Sequence, residues 1–228
     1  MSQFMDLRKF VISIAMFALV ALGSVTAARA DSTTLQLNVG STLPSQNYGT
    51  VGLQLNGSNQ IVVTIDLLNG ARIIQTGQDV SVGFNSSLSP DPTISASAFS
   101  PATGYALISG TPGSLHADGF GDFEYGLSSI YGANDLAATS HLVFTVSKTG
   151  GFSSVFDLVE NSTGGIASAF AVDIFCPTCN NGTGATGFIG TGTPTTSVPE
   201  PASMLLLGSG LVGLGAGVRR RRQASRAK

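Results

Sequence analysis

Hydrophobic and polar positions alternate with a period of two through most of the chain. Leu35, Leu37 and Val39 alternate with Gln36 and Asn38, and Val51, Leu53 and Leu55 with Gly52 and Gln54. Ile61, Val63, Ile65 and Leu67 share a face opposite Thr64 and Asp66. Further on, Leu142, Phe144 and Val146 oppose Val143 and Thr145, while Phe170, Val172 and Ile174 oppose Ala171 and Asp173. Alternation of this kind marks strands with one buried face. Residues 79–85 and 93–99 predict two more strands around a Ser-Pro-Asp-Pro turn, and 104–108 another. In 118–127, strand geometry places Phe123, Tyr125 and Leu127 on one face and Asp122 and Glu124 on the other. Asn56-Gly57 and Asn69-Gly70 fall between runs, where Asn-Gly favours the twisted turns that join antiparallel strands. This part shows no amphipathic helix and no repeat of fixed period. Short strands with closely spaced turn signals predict an all-β domain, a sandwich or barrel. An antiparallel β-sandwich of jelly-roll or Ig-like type is the expected form.

The two ends break the pattern. Arg8 and Lys9 precede an apolar stretch over 10–22, and Ala28-Arg29-Ala30 supplies a small-x-small cleavage site. This is the layout of a secretory signal peptide, with Asp31 the new N-terminus. The alternative, a retained membrane helix, needs a longer apolar run. At the other end, residues 202–218 carry no charge and are rich in Leu, Gly, Val and Ala. About 17–25 apolar residues span a bilayer as a helix. Pro199 and Pro201 bar the helix from extending backwards, and Arg219, Arg220, Arg221 and Arg222 follow it at once. Such a basic cluster stays on the cytoplasmic side. A buried core helix is the competing reading, and four consecutive arginines against it are unusual in a folded core. The expected organisation is a signal peptide over 1–30, an exported domain over 31–181 and a Gly/Thr-rich spacer over 182–197. A tail over 198–222 follows, with a transmembrane helix at 202–218, and then a cytoplasmic end over 223–228.

The order Val-Pro-Glu-Pro-Ala-Ser, apolar helix and arginine cluster resembles the PEP-CTERM sorting tail of Gram-negative bacterial exoproteins. Pro199, Glu200 and Pro201 are the motif residues. The resemblance implies recognition by an exosortase, a membrane-embedded cysteine transpeptidase that cuts near the motif and discards the helix. The body is similar, more loosely, to that of many PEP-CTERM exoproteins. Tyr48-Gly-Thr-Val-Gly-Leu, the His116-Ala-Asp-Gly-Phe-Gly-Asp-Phe segment and the Phe170-Ala-Val-Asp-Ile strand carry that likeness. It implies a β-sandwich and no particular reaction.

Charge narrows the partners. Residues 31–197 hold eleven acids against Arg72 and Lys148, a net charge of −9. The whole-chain value of −2 hides this, because the other bases lie in the two end segments. A surface so acidic repels polyphosphates, so nucleic acid is not an expected partner.

Candidate chemistry is sparse. Cys176-Pro-Thr-Cys179 is the sole cysteine pair. A thioredoxin-like site needs a helix directly after the first Cys to lower its pKa, and Asn180-Asn181-Gly182 is turn material. A zinc site would need both His116 and His141 as well. In an oxidising compartment a local disulfide is the simplest state, with redox or metal use and free thiols as alternatives. Asp118, Asp122 and Glu124 are weak candidates for calcium, which takes several carboxylate and carbonyl oxygens. Phe120 breaks the EF-hand spacing, and a solvated strand face is the better reading. Two G-x-G-x-x-G strings, at 208–213 and 182–187, lack the strand-to-helix setting that nucleotide binding requires. No spacing supports a catalytic group, and no resident cofactor is expected. His141 is placed as the residue that opens a strand.

The expected function is therefore that of a non-enzymatic exoprotein, a structural or adhesive component of exopolysaccharide or biofilm matrix. Its expected partners are the exosortase, the membrane and exopolysaccharide. The chain would pass through the inner membrane, pause there with its C-terminus cytoplasmic, and end at the cell surface or outside. Two alternatives remain open: a hydrolase of extracellular glycan, with two carboxylates across a cleft, and a calcium-dependent glycan-binding module.

Overall fold

The computed structural model describes residues 31–192, apart from 78, 89–92, 110–113 and 134. The expectations for Ala28, Ala30, Pro199, Glu200, Pro201, the helix at 202–218 and the four arginines lie outside the described residues. The strands, in chain order, are β1 (Ser32–Gly40), β2 (Gly49–Leu55), β3 (Ile61–Leu67), β4 (Arg72–Ile73), β5 (Val82–Phe84), β6 (Ser95–Ser100) and β7 (Tyr105–Ser109). They continue with β8 (Leu115–Ala117), β9 (Gly121–Phe123), β10 (Tyr125–Ser129), β11 (His141–Ser147), β12 (Thr163–Gly164), β13 (Phe170–Cys176) and β14 (Ala185–Thr191).

The fold is all-β, but the expected two-sheet sandwich is replaced by one large antiparallel sheet. Its order is β6-β11-β3-β2-β1-β14-β13-β5-β10-β7, with β4 paired to β13 beside this path. The end strands β6 and β7 lie next to each other, so the sheet is nearly closed into a barrel. A twisted sheet of about ten strands must curl, split or flatten, and this one curls. Period two could not separate the outcomes, because sandwich and barrel both turn alternate residues inward. Leu37, Val51, Val63, Phe144, Phe170, Val172, Phe84, Leu127 and Ile189 come from eight strands and pack into one buried cluster. Phe84 lies at its aromatic centre, 5.6 Å from Tyr125, 5.9 Å from Phe170 and 6.2 Å from Phe144 between ring centroids.

A 3-10 turn at Val155–Leu158 packs against the interior, with Val155 and Leu158 buried in the same cluster. Asp31 caps this turn: its carboxylate accepts from Ser154 Oγ and from Val155 N at 3.0 Å. The residue expected to follow signal cleavage is thus an anchor of the domain.

A second core lies on the opposite face of the sheet. The small sheet β12-β9-β8 covers Val80, Leu115, Ala117, Phe120, Phe123, Ala171 and Phe188. This arrangement corrects two expectations. Phe123 does not share a face with Tyr125 and Leu127: it packs in the outer core and they pack in the inner one. The strand breaks at Glu124, whose N–H donates to Asn85 Oδ1 at 2.8 Å. Residues 185–191, expected within the spacer, form β14, hydrogen-bonded to both β1 and β13. Its glycines leave room for close packing: a Cβ on Gly190 would lie 2.2 Å from Phe120 Cε1, and one on Gly187 2.4 Å from Thr42 Oγ1.

Candidate functional site

The carboxylates singled out for calcium do not converge. Asp122, in β9, stands directly opposite His116, in β8, with Oδ1 2.8 Å from His116 Nδ1. Asp118 lies in the connecting turn, its Oδ1 4.0 Å from His116 Nε2. The Asp79 carboxylate accepts the His116 backbone N–H at 3.2 Å. Glu124 sits beyond the strand break and is half-buried. Among the described residues, no three His, Cys, Asp or Glu side chains are disposed to hold a metal ion.

The other histidine repeats the arrangement. His141 opens β11 and stands opposite Asp66 in β3, its Nδ1 hydrogen-bonded to Asp66 Oδ1. Both pairs are half-exposed. The two cations of the exported domain rest on aromatic faces. The Arg72 guanidinium lies 5.2 Å from the Phe175 ring centroid, and Lys148 Nζ lies 5.7 Å from that of Phe152. Contacts of this kind contribute about 0.5–1 kcal/mol at exposed sites.

Cys176 and Cys179 form a disulfide with a Cα–Cα distance of 5.4 Å. Both cysteines are buried in the inner core. The chain after them turns: Gly182 N and Gly184 N both donate to Cys179 O, at 3.2 and 3.1 Å.

The carboxyl that sequence reasoning misplaced is Asp173. Alternation along β13 assigns it to the polar face, yet it is fully buried. Its Oδ2 accepts from Thr76 N at 2.7 Å and Thr76 Oγ1 at 2.8 Å. Burial pushes its pKa up to about 6, against the pull of these two bonds, and the nearby charge of Asp118 adds to the rise. The missed signal is its setting between Val172 and Ile174 in an almost wholly apolar strand. That pattern fits a strand covered on both faces.

Residues 197–222 match the PEP-CTERM protein-sorting motif. No curated protein and no solved structure matches the chain. The motif contains Pro199, Glu200 and Pro201, the apolar run and the four arginines. It implies export, processing by an exosortase and sorting to the cell surface. The chain thus joins an exosortase-substrate tail to a β-rich body.

Proposed function

We propose that this chain is an exported, surface-sorted matrix protein, acting without catalysis as a structural or adhesive component of exopolysaccharide or biofilm. The observation that carries the reading is the sorting motif at 197–222. The motif directs the body out of the cell, and the exosortase cuts near Pro199-Glu200-Pro201 and discards the apolar helix with its arginines. The body suits a static role. Its interior is packed with side chains from ten strands of the main sheet. Its histidines are engaged by cross-strand aspartates, and its cations rest on rings. Its net negative charge favours neutral polysaccharide over polyanions.

The test is deletion of the gene in the producing cell, complemented by the wild-type chain or by E200A. The reading expects the deletion to weaken retention of exopolysaccharide at the cell surface. Only the wild-type chain should restore it, and purified surface protein should sediment with isolated polysaccharide. Normal retention in the deletion strain, together with no co-sedimentation, would refute the matrix role while leaving the sorting assignment standing.

A further inference from the structure

Three Asn-Gly pairs occur in the exported domain: Asn56-Gly57, Asn69-Gly70 and Asn181-Gly182. Glycine lacks a Cβ, so its backbone nitrogen can approach the preceding asparagine side chain more closely than any other residue's. That nitrogen can attack the amide carbon. The structure separates the three pairs by how freely each can do so.

Asn56 is locked through its side chain. Its Oδ1 accepts from Ser58 N at 2.9 Å and Gln60 N at 3.0 Å, and its Nδ2 donates to Gln60 Oε1 at 3.1 Å. The amide cannot turn towards Gly57 without losing all three. At Asn181 the nucleophile is engaged instead. Gly182 N donates to Cys179 O at 3.2 Å, inside a turn stapled by the Cys176–Cys179 disulfide.

Asn69 has neither restraint. It lies in the link from β3 to β4, and it and Gly70 are exposed. Among the described residues, no hydrogen bond engages the Asn69 amide or the Gly70 N–H. The flanks, by contrast, are held. Leu68 N donates to Tyr48 O at 2.8 Å, and Ala71, which is buried, donates its N–H to Leu68 O at 3.0 Å. Asn69 and Gly70 have φ of 55° and 73°, the consecutive left-handed pair of a type I′ turn. Rotating this tip to bring Gly70 N against Asn69 Cγ breaks the single turn bond from Ala71 and leaves the strand ladders intact.

We infer that the Asn69-Gly70 turn is a site of spontaneous covalent modification, in which Asn69 converts to aspartate and isoaspartate through a cyclic imide. Gly70 N loses its proton and bonds to Asn69 Cγ. The Cγ–Nδ2 bond breaks and ammonia leaves with the returned proton, closing a five-membered succinimide. Water then opens the ring at either carbonyl, giving aspartate or the β-linked isomer, with no redox change. Each product adds one negative charge three residues before Arg72, which lies over Phe175. The isomer also lengthens the main chain of the link by one methylene. A protein deposited outside the cell would carry this mark in proportion to its age.

The experiment uses the native full-length chain in detergent, held in mildly alkaline, ammonia-free buffer and sampled over time. Peptide mass spectrometry reads the amide-to-acid mass gain at each site, and enzymatic methylation reads isoaspartate. Conversion at position 69 should run several-fold faster than at 56 or 181. In denaturant the three rates should draw together, since the protecting bonds at 56 and 181 are then gone. N69G, which suits the left-handed backbone and lacks the amide, should keep the fold and lose the principal acidic form. Equal native rates, faster conversion at 56 or 181, or an unchanged acidic form in N69G would each overturn the inference.

Discussion

His116 and Asp122 face each other across the β8–β9 pair with 2.8 Å between Nδ1 and Oδ1, and His141 and Asp66 repeat the relationship across β11 and β3. Both histidines of the chain are thus cross-strand partners of aspartates. Directly opposed polar pairs contribute about 0.2–1 kcal/mol, and half-exposed ones fall towards the lower end because water and salt screen them. A double-mutant cycle on H116A and D122A, read by chemical denaturation, should give a coupling of about 0.5 kcal/mol. A coupling indistinguishable from zero would show that the pair does not hold β8 to β9.

Asp173 gives the domain a specific pH dependence. Its folded pKa is raised to about 6 from an ordinary 3.8, with burial the main cause. Between these values the folded state binds more protons at this site than the unfolded state, so stability falls as pH rises. The group costs nothing below the unfolded value, and its penalty is complete above the folded one. The penalty at neutral pH is at most about 3 kcal/mol. D173N keeps an oxygen for Thr76 and removes the charge. It should match the wild type at pH 4 and exceed it in melting temperature at pH 7.5, readable by calorimetry. A wild type that is the more stable protein at neutral pH would contradict this account of Asp173.

Much of the inner face was legible in the sequence. β1, β2, β3 and β11 alternate between buried and more exposed positions, so their inward residues stand out, whereas β13 is buried at nearly every position and its inward residues are only part of an apolar run. The errors occur where the second core covers the other face. There Asp173 is buried rather than solvated, and Phe123 leaves the inner core for the outer. Gly187 and Gly190 look like spacer composition, although they serve close packing under Thr42 and Phe120. The weak calcium candidates Asp118, Asp122 and Glu124 are set apart for a related reason. Asp122 follows β9 out of the main sheet, and Glu124 lies beyond the break.

β14 offers a direct test of that packing. G190A would place a Cβ 2.2 Å from the Phe120 ring, which must shift. Overpacking of this kind costs about 1–3 kcal/mol, and F120L should relieve part of it. Deleting residues 185–191 should abolish cooperative unfolding, because β1 and β13 lose their shared neighbour. A deletion variant with unchanged melting behaviour would restore the spacer reading.

The Cys176–Cys179 bridge closes a very short loop, with a sequence separation of 3. Loop-closure entropy for so short a span is about 2 kcal/mol, below that of long-range bridges. C176S/C179S should therefore remain folded with a melting temperature lowered by several degrees. Complete unfolding at ambient temperature would assign the bridge a far larger role.

The sorting tail is tested most directly by mass. Cells producing the wild-type chain, E200A or a chain lacking residues 219–222 are fractionated, and the intact mass of the protein is measured in each fraction. The account predicts a wild-type surface form lacking residues 1–30 and the apolar run at 202–218, while both variants remain in the membrane with the tail attached. A wild-type protein of full length in the cytosol, or normal release of E200A, would contradict it.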